Sequence, residues 1–218
     1  MNNRAEGVDQ ILTGVRRVLS DPRIYDGVQS LLGVNGARRY VCEEIVDAKD
    51  GDTVLDVGCG TAELLHYLPA NVTYYGFDLS EAYIAAAKRR YAKRANCSFQ
   101  SADLSAVSAD DLPPCQHAIA YGVLHHLNDD VAKHVLAGIQ ERLAPGGRVI
   151  TVDPVFAPDQ AMIARALIQR DRGQHVRTAD KYLDLMPSSY ASKRITVRHN
   201  LLRVPYSLAI MVGEKMPA

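Results

Sequence analysis

A chain of 218 residues, 47% of them hydrophobic, is long enough to bury one sizeable core without disulfides or a structural metal. Its 25 Lys and Arg balance 25 Asp and Glu, so no global field draws it to nucleic acid or to an anionic membrane. Four cysteines, Cys42, Cys59, Cys97 and Cys115, form no CxxC pair and read as reduced core thiols rather than a metal or disulfide framework.

The opening residues MNNRAEGVDQ lack the basic stretch and apolar run of a secretory signal. The longest apolar stretches, His117 to Leu124 and Leu208 to Val212, fall far short of the roughly 20 residues of a bilayer-spanning helix. The expectation is a cytoplasmic protein with no membrane span.

Residues 1–49 carry a helical pattern, including Asp9 to Leu19 and Ala37 to Val46, interrupted by Asp21-Pro22 and Gly33. From Asp50 onward, short β-rich runs alternate with helical ones, the signature of a parallel sheet covered on both faces. Strands are predicted at Thr53 to Val57, Thr73 to Phe77, Cys97 to Gln100, His117 to Val123 and Arg148 to Asp153. Ile195 to Arg198 and Tyr206 to Gly213 close the chain as two more. Between them, helices are predicted at Ala62 to Leu68, Glu81 to Lys93 and Asp129 to Leu143, the last ended by Pro145-Gly146-Gly147. Ser80 caps the second, with Leu79 and Ile84 placed to form a hydrophobic staple, and Asp129 and Asp130 favour the positive end of the third. After Asp153 comes an insertion with helical stretches Gln160 to Arg170 and Ala179 to Met186. The fold class is therefore α/β: a seven-stranded, mostly parallel sheet with helices on both faces, in a single domain over residues 1–218. Within it, 1–49 form a helical cover, 50–153 the core, 154–190 a helical insertion and 191–218 the closing strands.

VLDVGCGTAELL places an apolar strand before Gly58-Cys59-Gly60 and a helical run after it. Glycines there permit positive φ and close ligand approach, and the following helix offers free N–H groups. A dinucleotide site would need GxGxxG, whereas Glu63 stands where the third glycine belongs and would set a carboxylate beside a pyrophosphate. Asp56, two residues before Gly58, suits a cationic ligand instead.

The segment Asp56-Val57-Gly58-Cys59-Gly60-Thr61 resembles motif I of class I, Rossmann-like S-adenosylmethionine-dependent methyltransferases. The resemblance implies that Asp56 meets the cofactor's methionine portion and that Gly58, Cys59, Gly60 and Thr61 admit it. Ala62 departs from the family's frequent third glycine and implies a modest adjustment of the loop. Asp78 in GFDLS, about twenty residues past the turn, is where nucleoside-binding α/β folds place a ribose-binding carboxylate, with Leu79 beside it. Ser101-Ala102-Asp103-Leu104 resembles the adenine element, with Asp103 on the amino group and Ala102 and Leu104 near the ring. AYGVLHHLND resembles the VLHHL segment of small-molecule members, which puts Tyr121 and Gly122 against the cofactor. LAPGGRVITVDPVF extends the resemblance to Phe156, over about half the chain.

The implied activity is methyl transfer from S-adenosylmethionine to an oxygen or nitrogen of a small metabolite, with no metal. His125, His126 and Asp153 are the candidate general bases for a hydroxyl acceptor, whereas a neutral amine needs little help. Nucleic acid is disfavoured as acceptor: Tyr121-Gly122-Val123-Leu124 replaces the Asn/Asp-Pro-Pro-Tyr-like motif of base amino-methyltransferases, and Asp153-Pro154-Val155-Phe156 follows the wrong strand. There is also no dense basic arm. Arg165, Arg170, Arg172, Arg177, Arg198 and Arg203 leave open an anionic acceptor, or else a solvated face paired with Asp171, Asp180 and Asp184. Tyr25, Gln29, His175, His199 and Tyr206 are polar or aromatic groups able to line a pocket. The alternatives are a module that senses the cofactor without transferring its methyl, or a methyltransferase acting on protein or RNA. Oligomeric state is not legible.

Overall fold

The computed structural model describes residues 33–104, 107–108, 111–170 and 173–218. The predictions at Asp9 to Leu19, Asp21-Pro22, Tyr25, Gln29, Asp171 and Arg172 lie outside them. Strands run over Thr53–Val57 (β1), Thr73–Asp78 (β2), Cys97–Ser101 (β3), Cys115–Tyr121 (β4), Leu143–Phe156 (β5), Arg177–Thr178 (β6), Tyr190–Arg198 (β7) and Leu208–Lys215 (β8). The sheet order is β3-β2-β1-β4-β5-β8-β7, with the two-residue β6 pairing β5 off this path. β1 to β5 are mutually parallel, and β8 is antiparallel to both β5 and β7. The seven predicted strands are all present, and β6 is the addition. The chain leaves β1 toward β2 and β3, then crosses back to β4 on the other side. That reversal opens a crevice at the carboxyl ends of β1 and β4, where ligands bind in such sheets.

Helices are Val34–Tyr40 (α1), Glu81–Arg90 (α2), Asp129–Arg142 (α3), Met162–Gln169 (α4) and Ala179–Leu183 (α5). α1 runs into a π-helical turn at Val41–Val46, and 3-10 turns cover Glu63–Tyr67 and Leu124–His126. The predicted helix at Ala62 to Leu68 is thus a short 3-10 turn. Ala62 before it is left-handed (φ 59°, ψ 40°), and Leu68 and Pro69 after it lead into the next strand.

The core divides by strand parity, because successive side chains point to opposite faces. Val54, Ile119, Ile150, Ile210 and Val212 pack with Val41, Leu65, Ile84 and Ala87 on one face. Leu55, Ala118, Val149, Ala209 and Met211 pack with Leu136, Ile139, Tyr182 and Met186 on the other. Both faces of the sheet are thereby buried. Cys42, Cys59 and Cys115 are buried and Cys97 partly so, and all four are free thiols.

The caps behave as their chemistry dictates. Ser80 Oγ accepts from Tyr83 N at 3.3 Å, and Asn128 Oδ1 accepts from Val131 N at 3.0 Å. The staple does not form: Ile84 is buried, but Leu79 is 74% exposed. Leu79 therefore presents its apolar side chain to whatever lies beside Asp78. At Ala62 the left-handed backbone costs an alanine about 1–2 kcal/mol. Its fully buried methyl offsets roughly 0.8 kcal/mol of that, which accounts for a chain that does without the third glycine.

Candidate active site

β1 delivers Asp56 to the crevice and the turn after it supplies the glycines. Gly58 (φ 73°) and Gly60 (φ 55°) both take the left-handed conformation glycine tolerates. A Cβ at Gly58 would lie 2.5 Å from Val123 Cγ2, so only glycine lets the turn press against the β4 loop. Around Gly60 the space where a Cβ would stand is open. One side of the turn is thus packed on protein and the other is clear for a ligand.

Asp56 is 1% exposed. Its Oδ2 accepts from the Tyr74 hydroxyl at 2.5 Å, while Oδ1 has no hydrogen-bond partner and no access to water. Burial pushes its carboxyl up to about 7; the Tyr74 hydrogen bond opposes this and the nearby Asp78 charge adds to it. A buried acceptor with an open lone pair calls for a cationic donor. A pyrophosphate, which offers only acceptors, does not meet that need. Tyr74 was not legible as a site residue, since a tyrosine in a β-rich run reads as strand packing.

The exclusion of a dinucleotide rests on Asp56 rather than on Glu63. Glu63 is held in a close ion pair with Arg90 and lies 3.9 Å from Arg38, so its charge is already answered.

Asp78, at the end of β2, is fixed from two sides. Gly60 N donates to its Oδ2 at 2.9 Å and Ser80 N to its Oδ1 at 2.8 Å. Each carboxylate oxygen keeps a further lone pair, enough to accept from both hydroxyls of a ribose. Exposed Leu79 and half-buried Ala102 offer apolar surface nearby, Leu104 is buried beneath, and Asp103 is exposed. Cys59 and Thr61 are buried, so both shape the turn with their backbone. The Thr61 carbonyl accepts from Arg90 at 3.1 Å.

At the end of β4, Tyr121 is half-buried and Gly122 (φ 71°) donates to Val152 O at 2.7 Å. His125 and Asp153, 28 residues apart, are brought together there. Asp153 Oδ1 accepts from His125 N at 3.1 Å and lies 2.8 Å from His125 Nδ1. Both residues are buried, and Asp153 Oδ2 has no partner. His126 is exposed, its ring 4.0 Å from that of His125. The two adjacent histidines are thus different in kind.

Several basic candidates are committed elsewhere. Arg177, buried at 6% exposure, holds loop carbonyls and Asp129 rather than facing an acceptor. Arg198 stacks on Tyr40 and Arg165 on Phe156. The packing of Arg203 against Gly33 leaves no room there for a Cβ. His199 Nδ1 lies 2.9 Å from Ser207 Oγ, His175 N donates to His125 O, and Tyr206 is half-buried. Among the described residues no three metal-ligating side chains converge, and no helix is long and apolar enough to cross a membrane.

Residues 55–149 match the family model described as a methyltransferase domain. An uncharacterized methyltransferase of Bacillus cereus is 26% identical over 136 residues, 62% of each chain, so the match spans under two thirds of that relative. The pyocyanin biosynthetic protein PhzM superposes with a TM-score of 0.73 at 14% identity, over 94% of this chain and 61% of that one. Human N-acetylserotonin methyltransferase, solved in complex with S-adenosylmethionine, gives 0.66 at 19%, over 91% and 56%. At these identities the structural likeness is one of fold, and it agrees with the sheet order and with the motif order from Asp56 to Asp153. Residues 55–149, under half of the chain, are thus similar to a methyltransferase domain, and the sheet that carries them has the Rossmann-like methyltransferase fold.

Proposed function

We propose that the protein transfers a methyl group from S-adenosylmethionine to an oxygen or nitrogen of a small metabolite. The observation that carries this reading is the buried His125–Asp153 pair, set beside Gly122 at the end of the crevice that Asp56, Gly60 and Asp78 line. A sensor of the cofactor has no use for a braced imidazole there. S-adenosylmethionine, when bound, supplies an activated methyl on a sulfonium that leaves as a neutral thioether.

The residues divide the remaining work. Asp56 takes the ammonium, Asp78 the ribose hydroxyls, and Leu79 with Ala102 and Leu104 the adenine ring, with Asp103 at its amino group. Gly58, Cys59, Gly60, Thr61, Tyr121 and Gly122 shape the cradle. With Nδ1–H donating to Asp153, the Nε2 of His125 is the nitrogen that takes a proton from an acceptor hydroxyl. Asp153 fixes the tautomer and stabilises the imidazolium so formed. His126 is exposed, with its ring beside that of His125. Alignment and exclusion of water supply the rest of the rate. The acceptor is a small molecule rather than nucleic acid, and the insertion over residues 154–190 is its cover.

Release of S-adenosylhomocysteine on incubation with fractionated metabolite pools tests the activity. Turnover with no pool, despite tight cofactor binding, would make the protein a sensor. With a hydroxyl acceptor in hand, His125→Asn is expected to lower kcat roughly 100-fold or more and leave cofactor affinity nearly unchanged. A kcat that does not move removes the base role from His125.

Cofactor affinity should also depend on pH. Because the free protein holds Asp56 up to about 7, an ammonium ligand must draw it into the ionised form. Affinity for S-adenosylhomocysteine is expected to rise as pH increases through about 7. In Tyr74→Phe the rise should move to higher pH, since the hydrogen bond that favours the carboxylate is gone. Folding stability of the free protein should show the opposite sign. Its raised folded-state pKa contributes stability below the ordinary carboxylate range, which is lost as pH rises toward about 7. Calorimetric titration across pH 5.5 to 8.5 with both proteins reads the binding effect, and a flat wild-type profile would refute the assignment of Asp56.

A further inference from the structure

The insertion meets the 3-10 turn at Leu124–His126 through residues 173, 175 and 177. Arg177 donates to the carbonyls of Leu124 and Leu127, and His175 N donates to His125 O at 2.9 Å. Gly173 stands against the ring of His125. A Cβ at Gly173 would lie 2.0 Å from Cδ2 and 2.9 Å from Cγ of that ring, and 2.7 Å from the His125 carbonyl oxygen. The backbone of Gly173 is not left-handed, so conformation does not call for glycine there; the close approach to His125 does.

The other edge of the ring belongs to Asp153. Its Oδ1 lies 2.8 Å from Nδ1, and a Cβ at Gly122 would be 3.7 Å from Cε1. Cδ2 and Nδ1 are the two ring atoms bonded to Cγ, so Gly173 and Asp153 bracket the imidazole across the bond about which it turns. That torsion is broad and roughly two-fold in histidine. The hydrogen bond to Asp153 selects one of the two orientations, and backbone packed on the Cδ2 edge narrows the tilt that remains. We propose that Gly173 is a positioning residue, which by lacking a side chain lets the insertion press on the Cδ2 edge of His125 and hold Nδ1 on Asp153. The proposal rests on the base reading of His125 above. A side chain at position 173 would push either the ring off Asp153 or the insertion off the turn, and a displacement of about 1 Å in a reacting group costs up to about 100-fold in rate.

Ring-nitrogen NMR of the free protein reports the tautomer of each histidine, and His125→Asn identifies the His125 signals by their loss. Wild-type His125 is expected in the Nδ1–H form alone. Gly173→Ala is expected to mix the two tautomers, because the hydrogen bond to Asp153 is what selects one. Calorimetry should find its affinity for S-adenosylhomocysteine nearly unchanged. With a hydroxyl acceptor in hand, its kcat should fall roughly 10- to 100-fold. Unaltered His125 signals in the variant overturn the proposal, as does a matching loss of S-adenosylhomocysteine affinity, which a general loosening of the fold would give. A second comparison holds even where Gly173→Ala alone does not fold. In His125→Ala protein the ring is gone, so adding Gly173→Ala should lower Tm by less than it does in the wild type. Equal losses in the two backgrounds would mean that the glycine serves only the main chain, and overturn the proposal. A wild-type ring protonated at Nε2 overturns the base reading itself, a failure distinct from the others.

Discussion

Replacing Asp78 by Ala should lower affinity for S-adenosylhomocysteine by roughly 100-fold or more, from the loss of two hydrogen bonds to a charged acceptor at about 1.5–3 kcal/mol each. The carboxylate also receives Gly60 N and Ser80 N, so its removal leaves two backbone donors unanswered at the turn proposed to admit the ligand. The loss should therefore exceed what the ribose contacts alone predict. Asp78→Asn separates the two contributions. An amide oxygen can still accept one of the backbone bonds but offers its NH2 to the other, so the turn is half-supported and the affinity intermediate. Calorimetry on the folded variants decides it, and an unchanged dissociation constant in Asp78→Ala would refute the ribose assignment.

Arg177→Met should be the most damaging single change to stability, at about 3–5 kcal/mol, with a fall in Tm of about 10 °C in a chain of this size. The guanidinium donates to the carbonyls of Leu124 and His175 at 2.8 Å each and of Leu127 at 2.6 Å. It ties the 3-10 turn that carries His125 to the segment entering β6. Without it the part-buried carbonyls of Leu127 and His175 lose this donor, while that of Leu124 keeps its bond from Leu127 N at 3.1 Å. Its partner Asp129 is largely exposed, and Asp129→Asn should cost little, because solvent already screens that pair. Thermal melts of the two variants check the contrast. Equal losses would mean that the ion pair, rather than the carbonyl clamp, holds the loop.

The motifs around the cofactor crevice were legible because each rests on local chemistry. Gly58 and Gly60 announce positive φ, Ser80 announces a helix start, and the run before each turn alternates or stays apolar as a buried strand does. The long-range pairings at the proposed site were less legible. Tyr74 reads as a strand residue until register sets its hydroxyl on Asp56, 18 positions away. His125 and His126 are indistinguishable in sequence, and only the position of Asp153 on the neighbouring strand separates the braced ring from the exposed one. Arg177, in a locally basic stretch, looks like a ligand for an anion. The fold spends it on carbonyls of the loop after β4, 50 and 53 positions earlier in the chain.

By itself, then, the sequence determined the alternation of strand and helix, the turn at Asp56 to Thr61 and the order of the motifs, because period, capping and glycine conformation act within a few residues. The tertiary structure decided which polar groups are buried together. It also fixed which arginines close a loop and which stack on a ring, and which of two histidines meets Asp153. These depend on strand register and on approaches between distant segments, and no local pattern encodes them.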